Sequence, residues 1–379
     1  MKAGTILKIL LVLSLIAAAF YLYVSIQLGP YGKGGVVYIP RGASLRQSAE
    51  ILEQNGAIRS AWAFRGLARW KKMQAKLKPG EYQLDPAMTS GEVLNKIVRG
   101  ERVVRRVTVP EGYNFQQIAA LIEKAGIAPQ AETMKYFRDP GLLTALGFPA
   151  VSLEGYLFPA SYEYDRETKV EGLLRQMLQK FQDSMRGPIA DRAKQAGWSL
   201  PQVVTLASLI EKETAQATER PLISSVFQNR LRIGMPLQTD PTVIYGLPNF
   251  DGNIRRDDLR NPHAYNTYVH VGLPPGPIAS PGLASLEAAL APAQSNYLFF
   301  VSKGDGTHYF SSTLDEHNTA VSRYQLGRAP GPESRPETQP TASVPVQKPI
   351  PMPRAPVPPP GAGNPQPLMK PIPMPRAPQ

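Results

Sequence analysis

The chain has 379 residues, 39 of them proline and none cysteine, with 42 Lys/Arg against 30 Asp/Glu and a net charge of +12. That length accommodates two or three domains with real cores. The absence of cysteine excludes structural disulfides, thiol catalysis and cysteine metal sites, and His263, His270, His308 and His317 have no familiar ligand spacing, so neither metal nor cofactor is expected.

Residues 1–8 carry Lys2 and Lys8, and from Ile9 to Ile26 the chain runs 18 residues without a charge. At ~1.5 Å per residue this is about long enough to cross a bilayer core. The run continues through Tyr21, Tyr23 and Val24, past the "AAAF" that could tempt a signal peptidase, so residues 9–29 read as a retained anchor with its juxtamembrane segment. The lysines place the N-terminus in the cytoplasm and send the rest across the membrane. In a bacterium this means a single-pass inner-membrane protein facing the periplasm or outer wall space, where nucleic acid is not an expected partner. Residues 31–108 hold 15 Lys/Arg against 6 Asp/Glu, a balance suited to anionic headgroups or an acidic polymer.

Two segments 70 residues apart resemble each other: "VYIPRGASLRQSAEILEQNG" (Val37–Gly56) and "VTVPEGYNFQQIAALIEKAG" (Val107–Gly126). Each reads as a strand, a Pro-x-Gly turn and an amphipathic helix closed by glycine. After the first copy the pattern predicts a helix near Ser60–Lys76, a strand at "GEYQL", a helix opened by the capping pair Thr89 and Glu92, and a strand through "RVVRRVTV". Residues 30–106 thus form a small α+β domain that resembles the LysM-like module of cell-wall proteins.

Residues 127–200 read as mostly helical, with aromatics Tyr156, Phe158, Tyr162 and Tyr164 in one loop that could pack or stack on sugar rings. "SLPQVVTLASLIEKETA" reads as a helix with Ser199 as N-cap and an apolar stripe through Val203, Leu206, Ala207, Ile210 and Thr214. With Val203 at zero, Glu211 lies near about 80° and Glu213 near about −80°, on opposite shoulders of the stripe, while Lys212 points away. A carboxyl partly withdrawn from water can stay protonated near neutrality and serve as acid and then base, and the angles do not distinguish the two glutamates. Pro/Gly-stiffened loops carrying Asn229, Gln238, Asp240, Tyr245 and Asn266 follow, and "NYLFFVSKGDGTHYFSS" reads as a β-hairpin turning at "KGDG". Residues 329–379 contain 18 of the prolines and two copies of "KPIPMPRAP", a composition for an extended or disordered tail.

Taken together, "ASLIEKET", "VFQNRLRIGMPLQTDPTVIYG", "AYNTY" and "GLPPGPIASPG" resemble the YceG-like (MltG) family of endolytic murein transglycosylases, over roughly residues 30–328 plus the anchor; the tail lies outside the likeness. The resemblance implies a mixed α+β catalytic domain over residues 107–328. It also implies a lyase that cuts peptidoglycan glycan strands internally, in contact with wall-synthesis enzymes. Its catalytic acid/base would be the first glutamate of the "EKE" motif, Glu211, with Glu213 in support. Asn229, Gln238, Asp240, Tyr245 and Asn266 would shape the cleft or bind substrate. The competing reading is a non-enzymatic peptidoglycan-binding scaffold; a wall amidase is disfavoured by the missing zinc-ligand pattern.

Overall fold

The structure is a computed structural model that describes residues 3–147, 150–214, 216–248 and 250–327. The proline-rich tail expected beyond residue 328 lies outside these. The chain is mixed α+β and divides into two compact units: residues up to Arg106 with Glu163–Thr168, and Val107–Tyr162 with Lys169 onward.

The first unit opens with helix α1 (Ala3–Leu28), whose Leu10–Leu28 stretch is long and apolar enough to cross a membrane and has no fully buried residue. Strand β1 (Gly35–Ile39) pairs antiparallel with β2 (Gly80–Leu84), Val37 opposite Tyr82. Between them run α2 (Leu45–Gln54) and α3 (Ala61–Trp70), and α4 (Ser90–Arg99) follows. Val37, Ile39, Leu52, Phe64, Tyr82 and Leu94 close one core. The expected helix over Ser60–Lys76 stops at Trp70, because Lys72 takes a left-handed φ of 54°. Lys72 N then donates to Arg69 O and Met73 N to Ala68 O, the paired bonds that finish a helix.

The 70-residue repeat is structural. The second copy comprises β3 (Arg105–Thr108) and α5 (Phe115–Lys124). Capping boxes open both helices, Ser44 with Gln47 and Asn114 with Gln117. Both helices end on a left-handed glycine, Gly56 (φ 66°) and Gly126 (φ 71°). The shared glutamate has a shared task. Glu53 Oε1 accepts from Ala61 N at 3.0 Å and Glu123 Oε1 from Gln130 N at 3.1 Å, so each caps the next helix, α3 or α6 (Gln130–Met134).

The second unit continues with α7 (Pro140–Ala145), β4 (Ser161–Tyr164, paired with β3), α8 (Val170–Met185) and α9 (Pro188–Ala196). The loop aromatics serve packing: Tyr156 meets Phe181 edge-on at 5.4 Å, and Tyr162 is buried. Helix α10 (Leu200–Glu213) starts at Ser199, whose N and Oγ donate to Gln202 Oε1. Every residue from Val203 to Ile210 is buried. The single stripe expected from periodicity is therefore a fully enclosed helix, packed by α9, α11 (Arg220–Arg232), α12 (Asp240–Gly246) and α14 (Leu283–Leu290). Short α13 (Arg256–Arg260) lies between α12 and α14 in sequence. The expected hairpin is present as β5 (Phe299–Ser302) and β6 (His308–Ser311), closed by Lys303 N donating to Thr307 O, and α15 (Leu314–Tyr324) follows.

Candidate active site

The enclosed helix α10 ends where its two glutamates emerge, and their surroundings differ. Glu211 is tied to two hydrogen-bond donors and one cation. Its Oε2 accepts from Gly282 N at 2.9 Å and Ser285 Oγ at 2.7 Å, and its Oε1 lies 3.5 Å from Arg220 Nη2. Arg220 Nε in turn donates to Ser285 Oγ at 3.1 Å. Gly282 is the N-cap of α14, so the carboxylate sits where that helix presents free N–H groups and the positive end of its dipole. The side chains are 7% exposed for Glu211 and 10% for Arg220. Together these contacts pin the end of α10 to the start of α14.

A second carboxylate borders this network. A Cβ on Gly282 would fall 2.0 Å from Glu111 Oε1, so only glycine leaves room for Glu111 there. Burial and the neighbouring Glu211 raise the Glu111 pKa, and Arg220 offsets part of the rise.

Glu213 is placed differently. Its Oε1 accepts from the hydroxyl of Thr239, the residue that precedes α12. Burial pushes its pKa up to about 7. Thr239, Arg230 and His308 favour the charged form and Asp240 opposes it, but desolvation is the largest cause. The residue keeps partial exposure. At neutral pH this group is divided between its acid and base forms, the condition for passing a proton in both directions.

Two of the loop residues singled out in the sequence gather here. Asp240 Oδ1 accepts from Tyr268 OH at 2.6 Å. Gln238, with a left-handed φ of 51°, donates its N–H to Thr267 O and accepts Arg230 Nη1 at its side chain. Arg230 also donates to Pro236 O, Leu237 O and Leu298 O, so one guanidinium fixes the turn that presents Thr239. Across the end of α10, His308 places both its backbone N and ring Nδ1 on the Glu219 carboxylate, at 2.8 and 2.7 Å.

Asn229, Tyr245 and Asn266 lie elsewhere in the network. Asn229 Nδ2 donates to Ser295 O and Tyr297 O. Asn266 Nδ2 donates to Leu259 O and Asn261 O, while its Oδ1 accepts Tyr268 N and so orients that tyrosine. Tyr245 OH donates at 3.1 Å to buried Glu154, whose pKa burial raises to about 8 despite a bond from Phe115 N. A cavity of about 210 Å³ lined by Val151, Tyr156, Pro201 and Pro277 opens at the start of α10, roughly 18 Å along the helix from Glu213 and so apart from either glutamate. Sequence reasoning missed Glu111, Arg220, Ser285, Thr239, His308 and Glu154. Of these, Glu111, Thr239 and His308 stood within quoted segments, in "VTVPEG", "LQTDPT" and "KGDGTH".

Among the described residues no group of acidic and histidine side chains is arranged to hold a metal ion. The chain belongs to the YceG-like family, which matches it over residues 37–323. It is 35% identical over 304 residues to the endolytic murein transglycosylase of Bacillus subtilis, covering 76% of this chain and 84% of that protein. The protein of the same name from Streptococcus pneumoniae D39 is 30% identical over 358 residues, covering 84% of this chain and 65% of the relative. A crystal structure of a yceG-like protein from Listeria monocytogenes, 34% identical, superposes with a TM-score of 0.54 and covers 76% of this chain and 98% of that one.

Proposed function

We propose that this protein is a membrane-anchored lytic transglycosylase that cuts peptidoglycan glycan strands internally, with Glu213 as its acid and base. The observation that carries the reading is the Glu213 carboxyl, held by Thr239 and poised near neutrality at the edge of a buried helix. The likeness of the "EKE" motif pointed first to Glu211. Arg220, Gly282 N and Ser285 Oγ hold that carboxylate at the helix end, and the proton transfer falls to Glu213, the supporting residue of the same motif.

In the proposed reaction Glu213 protonates the glycosidic oxygen between N-acetylmuramic acid and N-acetylglucosamine as the C1–O bond breaks. The muramic acid C6 hydroxyl bonds to C1 and returns its proton to Glu213, leaving a 1,6-anhydro end. Ordinary glycosidases use two carboxylates, one to protonate and one to attack or direct water. An internal hydroxyl is already in place, so one carboxyl suffices. Asp240 and Tyr268 would border the sugar near Glu213, while Asn266, Asn229 and Tyr245 shape the loops behind. This cleavage would end elongation of nascent strands beside wall-synthesis enzymes.

Helix α1 would anchor the protein in the inner membrane with its N-terminus in the cytoplasm. The strand–helix–helix–strand order of β1, α2, α3 and β2 supports a LysM-like wall-binding module. Digestion of purified peptidoglycan followed by mass spectrometry tests the reaction. Anhydro-ended fragments are expected; reducing-ended fragments would make it a hydrolase, and intact glycan with folded protein would favour a binding scaffold.

A further inference from the structure

Helix α3 buries one side only. Ala61, Ala63, Phe64 and Ala68 enter the core, while Trp62, Gly66, Arg69 and Trp70 remain outside. Trp62 is 55% and Trp70 79% exposed, whereas Trp198, the remaining tryptophan, is 5% exposed. At 3.6 residues per turn Trp62, Gly66 and Arg69 share an arc of about 60°, with Trp70 at its border. Large indoles left in water are costly unless something covers them. Their apolar body and single donor suit the headgroup level of a bilayer.

The charge around this face has one sign. From Arg59 to Lys78 the chain has seven Lys/Arg and no Asp/Glu. Ion pairs in this unit run through other arginines, as in Arg41–Glu167 and Arg105–Glu81. Among the described residues Arg69, Lys72 and Lys76 have no ion-pair partner.

Position completes the argument. Helix α3 contacts α1, and the residues of α1 that are partly covered, Val24, Gln27 and Leu28, lie at its C-terminal end. The link that follows is tied down: Tyr31 N donates to Met88 O at 3.4 Å, and the Arg59 guanidinium lies 4.8 Å over the Tyr31 ring. A Cβ on Gly32 would meet Gly56 O at 2.7 Å, so the chain passes closely over the unit there. A bilayer spanned by Leu10–Leu28 therefore ends next to α3, with no slack tether between.

We propose that the outer face of α3 is a bilayer-docking surface, with Trp62 and Trp70 at headgroup level and Arg69, Lys72 and Lys76 on anionic lipid phosphates. It rests on α1 spanning the membrane. Docking would hold the unit against the surface from which its anchor emerges.

The test uses the full chain reconstituted in phosphatidylcholine vesicles with or without 30% phosphatidylglycerol, the acyl chains brominated near their headgroup end. Tryptophan emission is expected to fall at least about twofold in the anionic vesicles and less in the neutral ones. Trp198→Phe should leave the quenching in place, and Trp62→Phe with Trp70→Phe should abolish it. Vesicle-bound protein whose exposed tryptophans are not quenched overturns the docking surface while leaving the anchor intact. Equal quenching in both vesicles overturns recognition of anionic lipid. Emission that responds to soluble glycan fragments and not to bromine assigns the face to the wall polymer instead. Protein that does not float with vesicles at all overturns the anchor and the docking surface together.

Discussion

Thr239 donates its hydroxyl hydrogen to the carboxylate of Glu213, joining the last residue of α10 to the residue that caps α12. The threonine is itself buried and fixed, its N–H donating to Thr267 Oγ1 at 3.1 Å. This bond holds the glutamate in one orientation while burial keeps its proton available. Thr239→Val removes it at nearly constant volume. Lowered turnover is expected, with a pH optimum moved upward, since the hydroxyl favours the charged form. A pH–rate profile of glycan cleavage checks both.

The charges around Glu213 predict opposite shifts from two substitutions. A reaction that begins with proton donation should lose rate as pH rises through the Glu213 pKa of about 7. Asp240 raises that pKa, so Asp240→Asn should move the alkaline limb to lower pH. His308 lowers it, so His308→Gln should move the limb to higher pH. Profiles that shift together, or not at all, would place the titrating acid elsewhere.

Glu211 and Arg220 predict a stability effect. Arg220→Met leaves the Glu211 carboxylate buried beside Glu111 without its cation and should cost about 3–5 kcal/mol. Glu211→Gln keeps an oxygen for Gly282 N and Ser285 Oγ and should cost less, about 1–2 kcal/mol. Denaturant unfolding of both variants measures the difference.

Glu154 makes the fold sensitive to alkali. Its pKa rises from an ordinary 4.5 to about 8, so the folded chain holds this proton more tightly than the unfolded chain. The resulting stabilisation is complete below 4.5 and is lost as pH rises to about 8, amounting to a few kcal/mol. Glu154→Gln retains an acceptor for Phe115 N and should flatten the decline, as thermal unfolding between pH 5 and 9 would show.

Local structure was legible where short-range chemistry decides it. Thr89 with Glu92, Ser44 with Gln47 and the strand Gly80–Leu84 all stand where the pattern places them. The repeat carried more than its pattern revealed, since the identical pair Glu53 and Glu123 caps the next helix in each copy. The site was legible only in part. Helical angles put Glu211 and Glu213 on equivalent shoulders, because periodicity describes one helix and not what surrounds it. Arg220, Ser285 and the start of α14 converge on one glutamate, and Thr239 meets the other, through contacts 9 to 74 residues apart in sequence. The same blindness made a fully enclosed α10 look amphipathic.

The central claim is that Glu213, and not Glu211, lends and recovers the proton. Its most direct test compares anhydro-ended products from purified peptidoglycan for the wild type, Glu213→Gln and Glu211→Gln, each shown to be folded by circular dichroism. Glu213→Gln should lose at least about 100-fold in rate with its fold intact, while folded Glu211→Gln keeps measurable cleavage. An active Glu213→Gln enzyme beside a folded but inert Glu211→Gln enzyme would contradict the assignment.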